Sequence, residues 1–323
     1  MFRTRPRHGA AALAVATLWL AACGSSNDAS TPGATTVENV ENVEAVDNGA
    51  PTVVATTSIW ADVTDNVACD GLATVETIIP LGGDPHSFEP SLRDRETMDN
   101  ADLVVANGLF LEESLADTID AVESNGVAVL RVGDGLDPLP AGDASHDDDH
   151  DDDHDDDHDD KADHDDDEAS HDDDHDADAD HDHGGSDPHV WWDPSRMATA
   201  VGLIADALAD AGLDRAALDT CADRYLDELN ALDAEVASMV DPLPPDQRVL
   251  VTNHDSLGYF ADRYDFEVIG SVIPSSSSLA ATSPAELDAL AADIEATGVP
   301  AIFADTQSST DDADALADRI GDV

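Results

Sequence analysis

Between Asp214 and Val240 the chain runs 27 residues without a glycine or a proline. Leu218, Tyr225, Leu229, Leu232 and Val236 fall three, four or seven apart along this stretch, the spacing that lines one face of an α-helix. At 1.5 Å per residue the helix is about 40 Å long. Pro242, Pro244 and Pro245 stop it, because proline lacks the amide proton that a helix interior needs. Whatever else the chain forms must be arranged around this rod.

On both sides of the rod, strand and helix alternate. Before it, Thr52–Ile59, Val75–Ile79, Leu103–Asn107 and Val127–Leu130 are apolar, β-branched runs suited to buried strands. Amphipathic stretches Ser91–Asn100 and Leu111–Glu123 separate them, and Pro194–Ala211 is a further helix closed by Gly212. After the rod come strand Arg248–Thr252, helix Ser256–Tyr264, strand Glu267–Ile273, helix Ser283–Thr297, strand Ala301–Ala304 and helix Asp311–Ile320. Such alternation implies an α/β fold of two lobes, each a parallel sheet flanked by helices, joined by one long rigid helix. The expected organisation is an N-terminal lobe over 51–212, a linking helix over 213–241 and a C-terminal lobe over 242–323. The second lobe is expected to be incomplete, since the sequence stops after a helix with no closing strand.

Charge narrows the partners. A formal charge of −60 repels the phosphate backbone, so nucleic acid is excluded as a partner. Residues 143–183 alone hold 24 acidic groups and one lysine. The segment 143–186 is too acidic and too poor in apolar residues to pack, and reads as a disordered insertion in the first lobe.

Histidine is used sparingly outside that insertion. Of 13 histidines, His8 lies near the N-terminus and nine, His146, His150, His154, His158, His164, His171, His175, His181 and His183, lie in the acidic tract. The remaining three are His86, His189 and His254. His86 follows a strand through a Pro-Leu-Gly-Gly turn, His254 follows the Arg248–Thr252 strand, and His189 sits in an Asp-Pro-His loop before a helix. In open parallel sheets ligands bind beyond the C-terminal strand ends, so all three belong on one binding face, drawn from both lobes. Neutral imidazole is a favoured ligand for zinc and its neighbours. In the tract, His146, His150, His154 and His158 recur every four residues, which would align them on a helical turn. All nine are candidates for accessory weak metal binding, against the plainer reading of a solvated linker.

The N-terminus supplies an address. Arg3, Arg5 and Arg7 precede a short apolar run, Ala10–Leu20, ending in Leu-Ala-Ala-Cys23; this is a secretory leader rather than a membrane span. Small residues before a cysteine resemble a bacterial lipobox, which would make 1–22 a signal peptide, Cys23 the lipidated residue and 23–50 a flexible tether. The protein is then expected outside the cytoplasm, lipid-anchored to the bacterial cell membrane. Cys69 and Cys221 remain, and outside the cytoplasm two cysteines are expected to pair as a disulfide.

Four segments in order, Gly-Gly-Asp-Pro-His86-Ser-Phe-Glu-Pro-Ser, Asp-Pro-His189-Val-Trp-Trp-Asp-Pro, His254-Asp-Ser-Leu-Gly-Tyr-Phe and Ile302-Phe-Ala-Asp-Thr-Gln-Ser-Ser, resemble the signatures of the zinc/manganese-type solute-binding lipoproteins of ABC importers. The resemblance spans Pro51 to Val323. It implies that His86 and His189 are metal ligands from the first lobe and His254 one from the second, that the long helix is a rigid strut, and that the partner is an ABC permease. The resemblance also implies a later loop with an acidic residue able to supply a fourth ligand, expected beyond residue 323; the fourth position is left open between that carboxylate, water and an Asp or His of the acidic tract, and Asp305 is not read as a ligand. Three imidazoles, and the His-rich insertion that accompanies zinc-binding members, favour Zn2+ over Mn2+. The protein is read as a non-enzymatic monomer. Two rivals are a zinc hydrolase, since three histidines and an open position also form a catalytic pattern, and a metal-buffering or adhesive surface protein in which the acidic tract does the binding. No HExxH helix supports the first.

Overall fold

The computed structural model describes residues 49–141 and 185–321. Cys23 and the nine histidines of the acidic tract lie outside the described residues. The first layer is a four-stranded parallel sheet in the order β2-β1-β3-β4, built from β1 (Thr52–Thr57), β2 (Thr74–Ile79), β3 (Leu103–Ala106) and β4 (Ala128–Arg131). β1 runs beside β2 with Val53 opposite Val75, and beside β3 with Val53 opposite Leu103. Val53–Ala55 and Leu103–Ala106 are buried on both faces, which is why they read as unbroken apolar runs rather than alternating ones.

Helices α1 (Ser58–Val67), α2 (Leu92–Asp99) and α3 (Ala116–Ser124) connect these strands. Local chemistry sets their starts: the Thr57 hydroxyl accepts from the Trp60 amide, and Ser91 with Asp94 forms a capping box. Trp60, Val63, Val67, Val105 and Val201 form one core beneath the sheet, and Ile79, Met98, Val104, Leu115 and Ile119 form a second on its other face.

Helix α4 (Pro194–Asp210) begins at Asp193, whose carboxylate accepts from the Ser195 amide, and carries proline at its first position. Helix α5 (Arg215–Val240) is the rod expected from the sequence, capped by Asp214. Its first half packs on α4 and α1 through Leu218, Ala222 and Leu229. A disulfide joins Cys221 of α5 to Cys69 after α1, with the Cα atoms 5.8 Å apart. Leu232, farther along the apolar stripe, is 47% exposed, because α5 outruns the first core there. Asp233 then meets the second lobe, accepting from Arg263 Nε (3.0 Å) and the Tyr264 hydroxyl (3.0 Å).

The second layer is smaller. β5 (Val249–His254) and β6 (Glu267–Ile273) pair in parallel, with a register shift at Leu250/Val251. Helices α6 (Gly258–Tyr264), α7 (Pro284–Thr297) and α8 (Asp311–Ile320) accompany them over a core of Val251, Val272, Leu290, Ile294 and Leu316. The strand expected over Ala301–Ala304 does not form. Phe303 makes a single parallel bridge to Thr252, its amide donating to Val251 O (2.8 Å) and its carbonyl accepting from Asn253 N (2.7 Å). The Asp305 side chain, two residues on, is held by His254, and among the described residues no further pair extends this bridge into a ladder. Among the described residues, no helix is long and apolar enough to cross a membrane.

Candidate metal site

The C-terminal ends of both sheets face one small cavity of about 100 Å³, whose walls include His86, His189 and His254. His86 stands in the turn after β2, His189 in the loop before α4, and His254 at the end of β5. All three are buried, at 2%, 2% and 6% exposure, which for a residue type that ordinarily seeks water calls for a partner. The His189 Nε2 lies 3.4 Å from His86 Nε2 and 3.1 Å from His254 Nε2. The three ligand atoms lie within 4.8 Å of one another.

Each ring is oriented from behind by a carboxylate. His189 Nδ1 is 2.7 Å from Asp187 Oδ1, His254 Nδ1 is 2.6 Å from Asp305 Oδ2, and His86 Nδ1 is 3.3 Å from Glu113 Oε1. A carboxylate can only accept, so each contact places the ring proton on Nδ1. The three Nε2 atoms are then left with lone pairs that point at one another. Neutral acceptors at this spacing repel, and a cation between them turns the repulsion into coordination. Burial, then the neighbouring His189 and His254, lowers His86 to about 3, so protonation does not relieve the crowding of this ring near neutrality.

Sequence reasoning singled out the three imidazoles but not what holds them. Asp187 accepts from both the His189 amide (2.9 Å) and its ring, and Asp84 does the same service for the His86 amide (3.0 Å). Beneath them is a buried polar chain. The Thr56 hydroxyl donates to Glu112 Oε1 (2.5 Å), the Asn107 amide donates to the same oxygen (2.7 Å), and Trp60 Nε1 donates to Asn107 Oδ1 (2.9 Å). Asn107 Nδ2 in turn donates to Pro188 O (3.0 Å). Burial pushes the Glu112 carboxyl up, opposed by its hydrogen bonds from Thr56 and the Asn107 and Gly108 amides. The chain ties the ends of β1 and β3 to the loop that carries His189. Its sequence signal was an asparagine closing the apolar run Leu103–Ala106, where a polar group must be bonded to be buried.

The lobes also touch across the cavity. The Ser278 hydroxyl, from the loop after β6, donates to Asp84 Oδ2 (2.7 Å). Asp305 lines the cavity, yet one of its oxygens is spent on His254. Asp255 adjoins His254 in sequence, and burial raises its carboxyl. Among the described residues, no carboxylate oxygen joins the close cluster of three imidazoles. The metal-ligand spacing seen at Cys69, Asp70 and Cys221 is that of the disulfide itself.

Comparison with known proteins identifies the family and the fold. The sequence model of the ZnuA family, zinc-uptake complex component A, periplasmic, matches residues 53–323. The manganese-binding lipoprotein MntA of Halalkalibacterium halodurans is 26% identical over 255 residues, 79% of this chain and 70% of that protein. The zinc-binding protein TroA of Treponema pallidum is 26% identical over 279 residues, 86% of this chain and 77% of its own. Its solved structure superposes with a TM-score of 0.66 over 84% of each chain. A manganese-bound periplasmic metal-binding protein from Candidatus Liberibacter asiaticus shares the fold at 21% identity, with a TM-score of 0.66 over 84% of this chain and 86% of that one. The chain belongs to the ZnuA family of metal-binding, solute-binding proteins of ABC transporters.

Proposed function

We propose that this protein captures a single zinc ion outside the cytoplasm and delivers it to the permease of an ABC importer. The carrying observation is the set of three buried Nε2 atoms, each freed to coordinate by a carboxylate on the far side of its ring. Zinc–imidazole bonds of 2.0–2.1 Å in a tetrahedron set their nitrogens about 3.3 Å apart. The two edges that meet at His189, 3.1 and 3.4 Å, bracket that value. Glu113, Asp187 and Asp305 orient imidazoles rather than enlarge the oxygen donor set, which favours zinc over manganese, the weaker binder at matched ligands. The relative named for manganese supports the alternative that Mn2+ is the cargo.

In this reading His86, His189 and His254 bind, and the protein performs no covalent chemistry. Cys23 carries the lipid that tethers a monomeric body to the membrane. The nine histidines of the acidic tract add weaker sites. Release requires the lobes to part, which breaks the Ser278–Asp84 contact and withdraws His254 from its two partners. Calorimetric titration with Zn2+ and then Mn2+, on the full chain and on a variant lacking 143–186, tests this. One tight zinc site retained in both is the expected result. Weak sites alone, lost with the tract, would overturn it.

A further inference from the structure

Tyr259 belongs to the second lobe, five residues beyond His254, yet its ring is fully buried in the core of the first. Its hydroxyl donates to Asp187 O (2.6 Å) and accepts from the Leu139 amide (3.0 Å), while Asp187 N donates to Leu139 O (2.8 Å). Burial raises the phenol to about 12, so it keeps its proton and remains a donor. The Arg196 guanidinium lies over the ring at 4.9 Å and bonds Leu136 O (2.6 Å) in the same approach to the loop. Beside Tyr259, Gly258 has no room for a side chain: a Cβ there would stand 2.7 Å from Asp187 Oδ2. Asp187 is therefore fixed on three sides. Its carbonyl is held by Tyr259, its Oδ2 lies against Gly258, and its Oδ1 grips His189.

We propose that Tyr259, together with Gly258, is a positioning residue of the metal site, setting the Asp187–His189 loop of the first lobe from the helix that follows the second lobe's ligand. The inference rests on the metal-capture reading above. It explains how imidazoles from two separate sheets keep a spacing suited to one ion: β5 delivers His254, and the next helix grips the neighbour of His189. Parting the lobes would then do more than remove one ligand, since it would also loosen the carboxylate that fixes the tautomer of a second.

The test uses the full chain with Tyr259→Phe, which keeps the ring and removes the hydroxyl, and Gly258→Ala, which crowds the carboxylate. Zn2+ affinity and the visible spectrum of the Co2+-loaded protein are read for each variant, alone and combined with Asp187→Asn or Glu113→Gln. Loss of a group supporting a metal ligand weakens binding by about 10- to 100-fold, and Tyr259→Phe, one step further out, is expected near the lower end. Both variants should alter the Co2+ spectrum. The affinity loss of Tyr259→Phe should be non-additive with Asp187→Asn and additive with Glu113→Gln. Unchanged affinity and spectrum, whatever happens to the melting temperature, would overturn the inference, as would equal additivity with both carboxylate variants. Failure of the unsubstituted protein to bind Zn2+ tightly would overturn the capture reading and this inference together.

Discussion

The two lobes contribute unequally to one site. The first has four parallel strands, core clusters on both faces of its sheet, and a buried chain from Thr56 through Glu112 and Asn107 to Pro188. It supplies two imidazoles. Among the described residues the second has two strands, a single bridge at Phe303 and one core cluster, and it supplies one imidazole. The first lobe is a seat whose ligands are set by buried hydrogen bonds. The second lobe completes the site with His254 and meets the seat through Tyr259 and Ser278, with Arg263 3.7 Å from Asp193. Two of the three imidazoles thus sit on the first lobe, and His254 alone comes from the second.

The most severe way to break the comparison is to delete a ligand from each side. Apparent binding energies near 10–16 kcal/mol for structural zinc sites imply about 3 kcal/mol per ligand, or roughly a 100-fold loss. His189→Ala and His254→Ala should each lose at least that much in competition titrations against a chelator of known affinity. A much smaller loss for His254 would mean that the seat binds alone.

A finer cut removes only the supporting charge. Asp187→Asn and Asp305→Asn should each weaken Zn2+ binding by about 10- to 100-fold. Glu113→Gln should cost less, because its contact is longer, at 3.3 Å, and its side chain is 34% exposed. These partners were only partly legible in the sequence. The fold could be read from strand and helix periodicity, and the three histidines from their scarcity and their place after strands. The carboxylates could not be ranked, since a chain so rich in aspartate puts one beside every ligand. Asp84, Asp187 and Asp255 all lie within two residues of a candidate ligand, yet of these only Asp187 is a ring partner, the others being Asp305 and Glu113. Tyr259 lies in the His254-Asp-Ser-Leu-Gly-Tyr-Phe segment, but no spacing in the sequence links its hydroxyl to Asp187. The strand expected over Ala301–Ala304 failed for a related reason: local β-propensity cannot reveal that only one residue finds a partner.

Acid should separate the lobes next. His86 is held at about 3 in the folded protein against about 6.5 unfolded, so the unfolded chain binds the extra proton between those values. Stability of the metal-free protein therefore falls as pH drops below about 6.5 and continues to fall toward 3. The slope from this residue is at most about 1.4 kcal/mol per pH unit. Urea midpoints across that range should show it, and His86→Gln should flatten the acid limb. An unchanged limb in that variant would shift the acid sensitivity elsewhere.

The smallest effect expected is at the contact between lobes. Ser278→Ala removes one hydrogen bond worth about 1 kcal/mol, so stopped-flow release of Zn2+ to a chelator should quicken by about fivefold with little change in melting temperature. No change in the release rate would mean that the Asp84 contact plays no part in holding the lobes together.

The most direct measurement is the zinc X-ray absorption spectrum of the protein loaded with one equivalent of Zn2+, beside a variant with His86, His189 and His254 all changed to alanine. Three imidazole nitrogens at about 2.0–2.1 Å in the unsubstituted protein, and their loss in the variant, are the predicted result. An identical imidazole shell in both proteins would place the ion on the acidic tract and contradict a site built between the lobes.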